Sequence, residues 1–260
     1  MSVLETRALT IRFGGHIAVN AVSCVFQPGT LTAIVGPNGA GKTTYFNLIS
    51  GQLKASSGSV HLGGRDLSAL SASARTRAGL GRAFQLTNLF PDLSVVENVR
   101  LAVQATRSGA HRRGLNLWSI CSDHRALSDR AAEILDMAAL NDEAASIVAG
   151  LPHGDQRKLE VAMLMALEPQ VFMFDEPTAG MSADEMPAVL NLIRKLRQDK
   201  SKTILLVEHK MDVVRELADR IIVLHNGSLV ADGEPAAVIA SPLVQEAYLG
   251  IRKEGGRAAA

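Results

Sequence analysis

Residues Gly36 to Thr44 read G-P-N-G-A-G-K-T-T, and these residue types in this order suit the binding of phosphate groups. Gly36, Gly39 and Gly41 let the backbone curl so that successive N–H groups point at anionic oxygens, with a helix N-terminus behind them. Pro37, Asn38 and Ala40 fill the loop between them. Lys42 supplies a positive charge for the outer phosphates, Thr43 a hydroxyl for a magnesium ion, and Thr44 completes the motif. A glycine-rich turn between a strand and a helix would explain the glycines alone. Lysine and threonine at these offsets favour nucleotide binding, and the order G-x-x-G-x-G followed by Lys disfavours a dinucleotide fingerprint.

Three later positions could complete a site for phosphoryl chemistry. Val171 to Phe174 is too apolar to be exposed and ends in Asp175-Glu176. Adjacent carboxylates at the end of a buried strand are costly unless a cation or substrate satisfies them. Asp175 suits a water-mediated contact to magnesium, and Glu176 can polarise water for attack on a γ-phosphate, where positioning and charge neutralisation do most of the work. A charged turn is the plainer explanation of this strand end, and the phosphate loop upstream decides against it. His209 follows the apolar run Thr203 to Val207, at the end of a strand where parallel sheets place ligands. It can hydrogen-bond the γ-phosphate and hold Glu176 and the water in line. His16, His61, His111, His124 and His225 read as surface residues. Gln85, after Phe84, is a candidate magnesium ligand and phosphate sensor. Lone glutamines are usually surface residues, so its case rests on the company it keeps.

The elements that must position these groups can be read from periodicity. Leu31 to Val35 is a buried-strand run leading into the loop, and Thr43 to Ser50 reads as the helix behind it. Leu9, Ile11 and Phe13, and then Val22, Cys24 and Phe26, alternate with polar residues as half-buried strands do. With Val60 to Leu62 they predict a small antiparallel sheet. From Val171 onward strands alternate with helices, which implies a parallel sheet and an α/β fold. Asn226-Gly227 predicts a hairpin. Val95 to Ala105 and Ala126 to Leu140 read as helices of an insert spanning about residues 86–160. Between them Arg107 to Arg125, which contains Trp118, is expected to be an irregular loop whose positive charge forms a solvated face more readily than a lipid contact. Residues 1–250 are expected to form one domain and 251–260 a frayed tail.

Composition narrows the class. The chain has 260 residues, 47% hydrophobic and 20% charged, which is ordinary for a globular protein. A net charge of +1 argues against nucleic acid as a partner, since that footprint needs an excess of Lys and Arg. Cys24 and Cys121 lie in no C-x-x-C motif and read as reduced thiols of a cytosolic protein. The opening M-S-V-L-E-T-R has no signal-peptide character. No apolar run reaches the roughly 18 residues of a spanning helix, so the chain is not expected to cross a membrane itself.

Together these residues resemble the ATP-binding subunit of an ABC transporter, over nearly the whole chain. The resemblance implies a P-loop NTPase fold with a RecA-like α/β core, an antiparallel β subdomain and a helical subdomain. It implies ATP and Mg2+ as cofactors, and two such subunits dimerising head to tail around two ATP molecules. By position, Phe13 corresponds to the aromatic that stacks on adenine, Gly36 to Thr44 to the Walker A loop and Gln85 to the Q-loop. Val171 to Glu176 matches Walker B, Ala179 to Ser182 the D-loop, and His209 the switch histidine. Leu151 to Arg157, L-P-H-G-D-Q-R, stands at the signature, which places His153, Gly154 and Asp155 against the partner's nucleotide. The usual signature is L-S-G-G-Q; here Pro152 replaces the serine, so its hydroxyl contact is absent.

Finer strings are similar to branched-chain (hydrophobic) amino-acid importers: Phe13-Gly14-Gly15, G-K-T-T-Y-F-N-L-I-S-G from Gly41, G-R-A-F-Q-L-T-N-L-F from Gly81, Q-R-K-L-E-V-A-M from Gln156 and E-A-Y-L-G from Glu246. This implies an import ATPase on the cytoplasmic face of the inner membrane, peripheral to it. The implied partners are a second ATPase subunit (a heterodimer), two membrane permease subunits and a periplasmic solute-binding protein. Urea or amide uptake and lipid or lipopolysaccharide export are the alternatives within the family. A soluble ATPase acting on ribosomes or DNA is disfavoured by the single P-loop and the lack of sustained heptads between Gln85 and Leu151.

Overall fold

The computed structural model describes residues 2–83, 89–107, 117–242 and 244–245. Gln85, residues 108–116 of the expected loop and the tail from 246 to 260 lie outside the described residues. The chain opens with a long hairpin, β1 (Leu4–Phe13) and β2 (His16–Phe26), then β3 (Leu31–Val35) and α1 (Lys42–Ser50). Next come β4 (Ser57–Leu62), β5 (Arg65–Asp66), α2 (Ala72–Arg77) and β6 (Leu80–Ala83). Three helices follow, α3 (Val95–Arg107), α4 (Leu117–Ala138) and α5 (His153–Ala166). The remainder alternates: β7 (Val171–Asp175), α6 (Met186–Gln198), β8 (Thr203–Val207), α7 (Met211–Leu217), the hairpin β9 (Arg220–His225) and β10 (Ser228–Gly233), and α8 (Pro235–Ala240).

Among the described residues these strands make two sheets. One is antiparallel with order β2-β1-β4-β5; the other has order β10-β9-β3-β8-β7-β6 and is parallel except where β10 turns back on β9. Parallel strands covered on both faces read as continuous apolar runs, and β3, β7 and β8 are buried at every position. Register sets the site. Ile34 and Asp175 pair with Val207 from opposite sides, so β3, β7 and β8 release their following loops at one level.

Helix α1 is held between the sheets. Tyr45, Phe46, Leu48 and Ile49 are all buried and share a core with Leu4 and Phe26 of one sheet and Met173, Leu205 and Leu224 of the other. The buried Tyr45 hydroxyl is satisfied, Oη lying 2.7 Å from Thr6 Oγ1. A second core joins α3, α4 and α5 through Val99, Ile134 and Leu159.

Two expectations are corrected. The first hairpin starts at Leu4 and not near Leu9. Ala8 and Ala21 take left-handed conformations (φ 46° and 49°), and the pairing shifts register between Thr6 and Leu9. Such a bulge resets which residues face the core, so simple alternation stops there. The helix expected from Ala126 begins at Leu117, so residues 117–125 are helical and not loop. Leu117, Ile120 and Cys121 already carry the i, i+3, i+4 spacing of a helix, which the arginines around them obscured.

Candidate active site

The phosphate-type loop leaves β3 and enters α1 through backbone conformations that need glycine. Gly36 has φ 153°, and a Cβ there would stand 2.2 Å from the Leu224 carbonyl oxygen. Gly41 caps α1 with φ 95°, and its Cβ would stand 2.4 Å from the Ala18 oxygen. The β9–β10 turn braces the loop from behind, Gly227 N–H donating to Ala40 O at 3.0 Å and Asn20 N–H to Gly227 O at 2.8 Å. Asn38 and Gly39 at the tip are exposed, as is Thr43, while Pro37 and Thr44 are half-buried.

Lys42 is buried and folded over this loop, its Nζ donating to Gly36 O at 2.7 Å and Pro37 O at 2.9 Å. Burial pulls its pKa down, and the Glu176 and Asp175 carboxylates oppose that. The ammonium and the two acids therefore share one electrostatic environment, although Lys42 opens α1 and the acids lie at the end of β7. Carbonyl oxygens hold the ammonium where anionic oxygens would bind it more strongly.

Glu176 sits one residue beyond β7 with φ 51°, a left-handed conformation that costs a non-glycine residue energy and occurs at functional sites. Its amide donates to Val207 O at 2.9 Å. Its Oε1 lies 2.8 Å from His209 Nε2, with both side chains part-exposed. The two residues singled out from different strand ends are thus in direct contact. Asp175 is buried, and Arg82 reaches its Oδ2 at 2.6 Å. Burial raises the Asp175 carboxyl's pKa against the pull of Arg82. Thr43 and Asp175 offer the hard oxygens a magnesium ion takes when phosphates supply other ligands; Oδ1 is the Asp175 oxygen not engaged by Arg82.

Phe13 ends β1, 51% exposed, on the hairpin whose Ala18 abuts Gly41. A large apolar ring left this open packs no core. Phe13→Ala is expected to weaken ATP binding by about 1–3 kcal/mol, the worth of stacking a base on an aromatic ring, with the melting temperature little changed. A large fall in melting temperature at unchanged ATP affinity would assign Phe13 to the core.

His153, Gly154 and Asp155 do not join this group. They open α5, whose N-cap Pro152 provides no side-chain cap. Gly154 N–H donates instead to Glu185 Oε1 at 3.2 Å, while Glu185 Oε2 accepts from Ser182 N and Oγ at 3.0 Å. Asp155 pairs with Lys158 at 2.5 Å, and His153 is exposed beside Gly180. Gln85 lies outside the described residues.

Sequence reasoning missed Arg82, Thr178, Glu185 and Glu208. Arg82 had a signal, a charge inside the short strand Leu80–Ala83, and Glu208 had one as an acid closing the apolar run Thr203–Val207. For Glu185 and Thr178 the sequence offers none.

The ABC transporter family model matches residues 19–179. The high-affinity branched-chain amino acid transport ATP-binding protein LivG of Escherichia coli is 37% identical over 249 residues, covering 95% of this chain and 98% of its own. The corresponding protein BraF of Pseudomonas aeruginosa is 36% identical over the same length and shares. Among solved structures, the ADP conformation of MJ1267, an ATP-binding cassette of an ABC transporter, superposes with a TM-score of 0.80 at 26% identity, covering 96% of this chain and 100% of that one. A dimeric post-hydrolysis state of the cassette MJ0796, bound to ADP and Pi, gives a TM-score of 0.73 at 26% identity, with 89% and 98% covered.

Proposed function

This chain belongs to the ABC transporter family and is an ATPase; from that premise we propose that it drives uptake of branched-chain amino acids through separate membrane permease subunits. The observation that carries the chemistry is the Glu176–His209 contact at 2.8 Å, beside the Lys42-bearing loop. The names of LivG and BraF support the solute over urea, amides or lipids. Reconstitution tests it: ATPase activity of the assembled importer in proteoliposomes should rise with leucine-loaded binding protein and not with urea. Stimulation by urea alone, or by lipid in the absence of binding protein, would overturn the assignment.

In this mechanism Gly36 to Thr44 hold the phosphates, and Lys42 exchanges its two carbonyl partners for phosphate oxygens. Magnesium held from Thr43 and Asp175, with Gln85 as a further ligand, would neutralise charge on the β- and γ-phosphates. Glu176 takes the proton of the attacking water, and His209 holds that carboxylate in line from Nε2 while facing the γ-phosphate. Phe13 stacks on the adenine. His153, Gly154 and Asp155 serve a partner's nucleotide across a head-to-tail dimer; that the MJ0796 cassette bound to ADP and Pi is dimeric supports pairing of two such chains.

No helix among the described residues is long and apolar enough to cross a membrane; we place the subunit peripherally on the cytoplasmic face of the inner membrane. A groove of about 410 Å³ lined by Leu89, Phe90, Leu101, Ala105, Met163 and Leu167, with Phe90 49% and Leu101 40% exposed, suits an apolar permease segment. Arg82 also lines it and reaches Asp175, which would join such a segment to the site's framework.

The partner ATPase is a different chain. Pro152 deprives the signature of a hydroxyl, and the Gly154 amide is engaged by Glu185, so the site using this signature is the weaker of two. Changing the general base to glutamine in this chain and in its partner separately should leave unequal residual activity, with Glu176→Gln the more damaging. Equal losses, or full activity from this chain alone with the permeases, would overturn the heterodimer.

A further inference from the structure

We propose that Glu208 is a positioning residue which, with Thr178, sets the placement of Glu176 against His209; this rests on the assignment of hydrolysis to those two residues. Glu208 is 2% exposed and Thr178 1% exposed. A buried carboxylate is costly unless its oxygens are bonded, and the bonds of Glu208 are distributed in an informative way. Oε1 accepts from Thr178 Oγ1 at 2.5 Å. Oε2 accepts from the His209 amide at 2.8 Å and the Lys210 amide at 3.2 Å. One side chain therefore ties the segment two residues past Glu176 to the segment that carries His209. Lys210 reinforces the tie, its Nζ reaching Thr178 O at 3.4 Å and Met186 Sδ at 2.8 Å.

These two segments leave neighbouring parallel strands, β7 and β8, where Asp175 pairs with Val207. The sheet fixes the strands up to that point and nothing beyond it. Past the last ladder pair, the Glu176 amide bond to Val207 and the Glu208 clasp carry the alignment onward. The Glu176 and His209 side chains are part-exposed; the clasp is buried. A misplacement of about 1 Å can cost about 10²-fold in rate, so a clasp at this place acts on turnover more than on nucleotide affinity.

The clasp needs hydrogen-bonding shape and not charge. In Glu208→Gln the amide oxygen can accept from the two backbone N–H groups while the amide nitrogen donates to Thr178 Oγ1, so kcat of the assembled importer should stay within about threefold of wild type. Glu208→Ala removes the clasp and should lower kcat by about 10–10²-fold, with KM for ATP within about twofold. Thr178→Val should act in the same direction and Thr178→Ser should restore activity, because only the hydroxyl differs in role. If Glu208→Ala fails to fold, the valine–serine pair decides. Wild-type kcat in Thr178→Val, or Gln as damaging as Ala at position 208, would overturn the proposal, as would a fall confined to melting temperature. Glu176→Gln assayed alongside separates the two levels. If it stays active, the hydrolytic assignment fails; if it is inactive while the clasp variants turn over normally, only the positioning role fails.

Discussion

Glu176→Gln is expected to lower ATP turnover of the assembled transporter by about 10²–10⁴-fold, the usual worth of a positioned general base, which is about 3–5 kcal/mol of barrier. ATP binding should survive. Gln matches Glu in shape, so the 2.8 Å contact to His209 Nε2 and the Glu176 amide bond to Val207 can both persist. The carboxamide, however, cannot take a proton from water. The left-handed backbone at Glu176 is unchanged by the substitution, so loss of activity could not be blamed on altered strain. The measurement is steady-state ATP hydrolysis beside equilibrium ATP binding on the same preparation. Turnover within twofold of wild type would remove Glu176 from the mechanism, whatever its geometry.

The parts of this site that were legible in the sequence share a physical reason. A phosphate loop is a local device, with glycines, lysine and threonine within one turn of chain, so spacing alone discloses it. Glu176 and His209 lie 33 residues apart, yet each follows an apolar strand run, and parallel strands deliver their C-terminal ends to one edge. Topology converted two linear signals into one contact. Arg82 could not be assigned this way, because its partners Asn47, Ser50, Gln52 and Asp175 lie 30 to 93 residues away. Nor could Glu185, whose bond to Gly154 spans 31 residues and follows no periodicity. The bulge at Ala8 hid the start of the first hairpin for a different reason: it changes the face that alternation points to without changing composition.

Arg82→Met is expected to be the most destabilising single change near the site, and its mechanism is electrostatic. The Arg82 and Asp175 side chains are 8% and 7% exposed and bonded at 2.6 Å. The other arm of the guanidinium holds Asn47 Oδ1 at 2.6 Å, Ser50 Oγ at 3.0 Å and Gln52 Oε1 at 3.1 Å, and its Cζ lies 5.0 Å from the Phe46 ring centroid. Lysine could not reproduce that fork, so it should rescue poorly. Removing one partner of a buried pair costs about 3–5 kcal/mol because the other charge is left uncompensated. In a chain of this size that corresponds to about 6–20 °C in melting temperature. Asp175→Asn added to Arg82→Met should recover part of the loss, since no carboxylate then remains to be buried. The pH dependence follows from the same charge. Burial already raises the Asp175 carboxyl's pKa, and Arg82 is the largest influence lowering it. Without Arg82 the carboxyl rises further, so the folded state binds a proton more tightly than the unfolded state. The deficit of Arg82→Met should therefore shrink as pH falls toward the carboxylate range and widen as pH rises. Thermal unfolding of the single and double variants at two pH values measures all of this. A deficit independent of pH, or a double variant as unstable as the sum of its parts, would show that Arg82 acts through packing on Phe46 and not through Asp175.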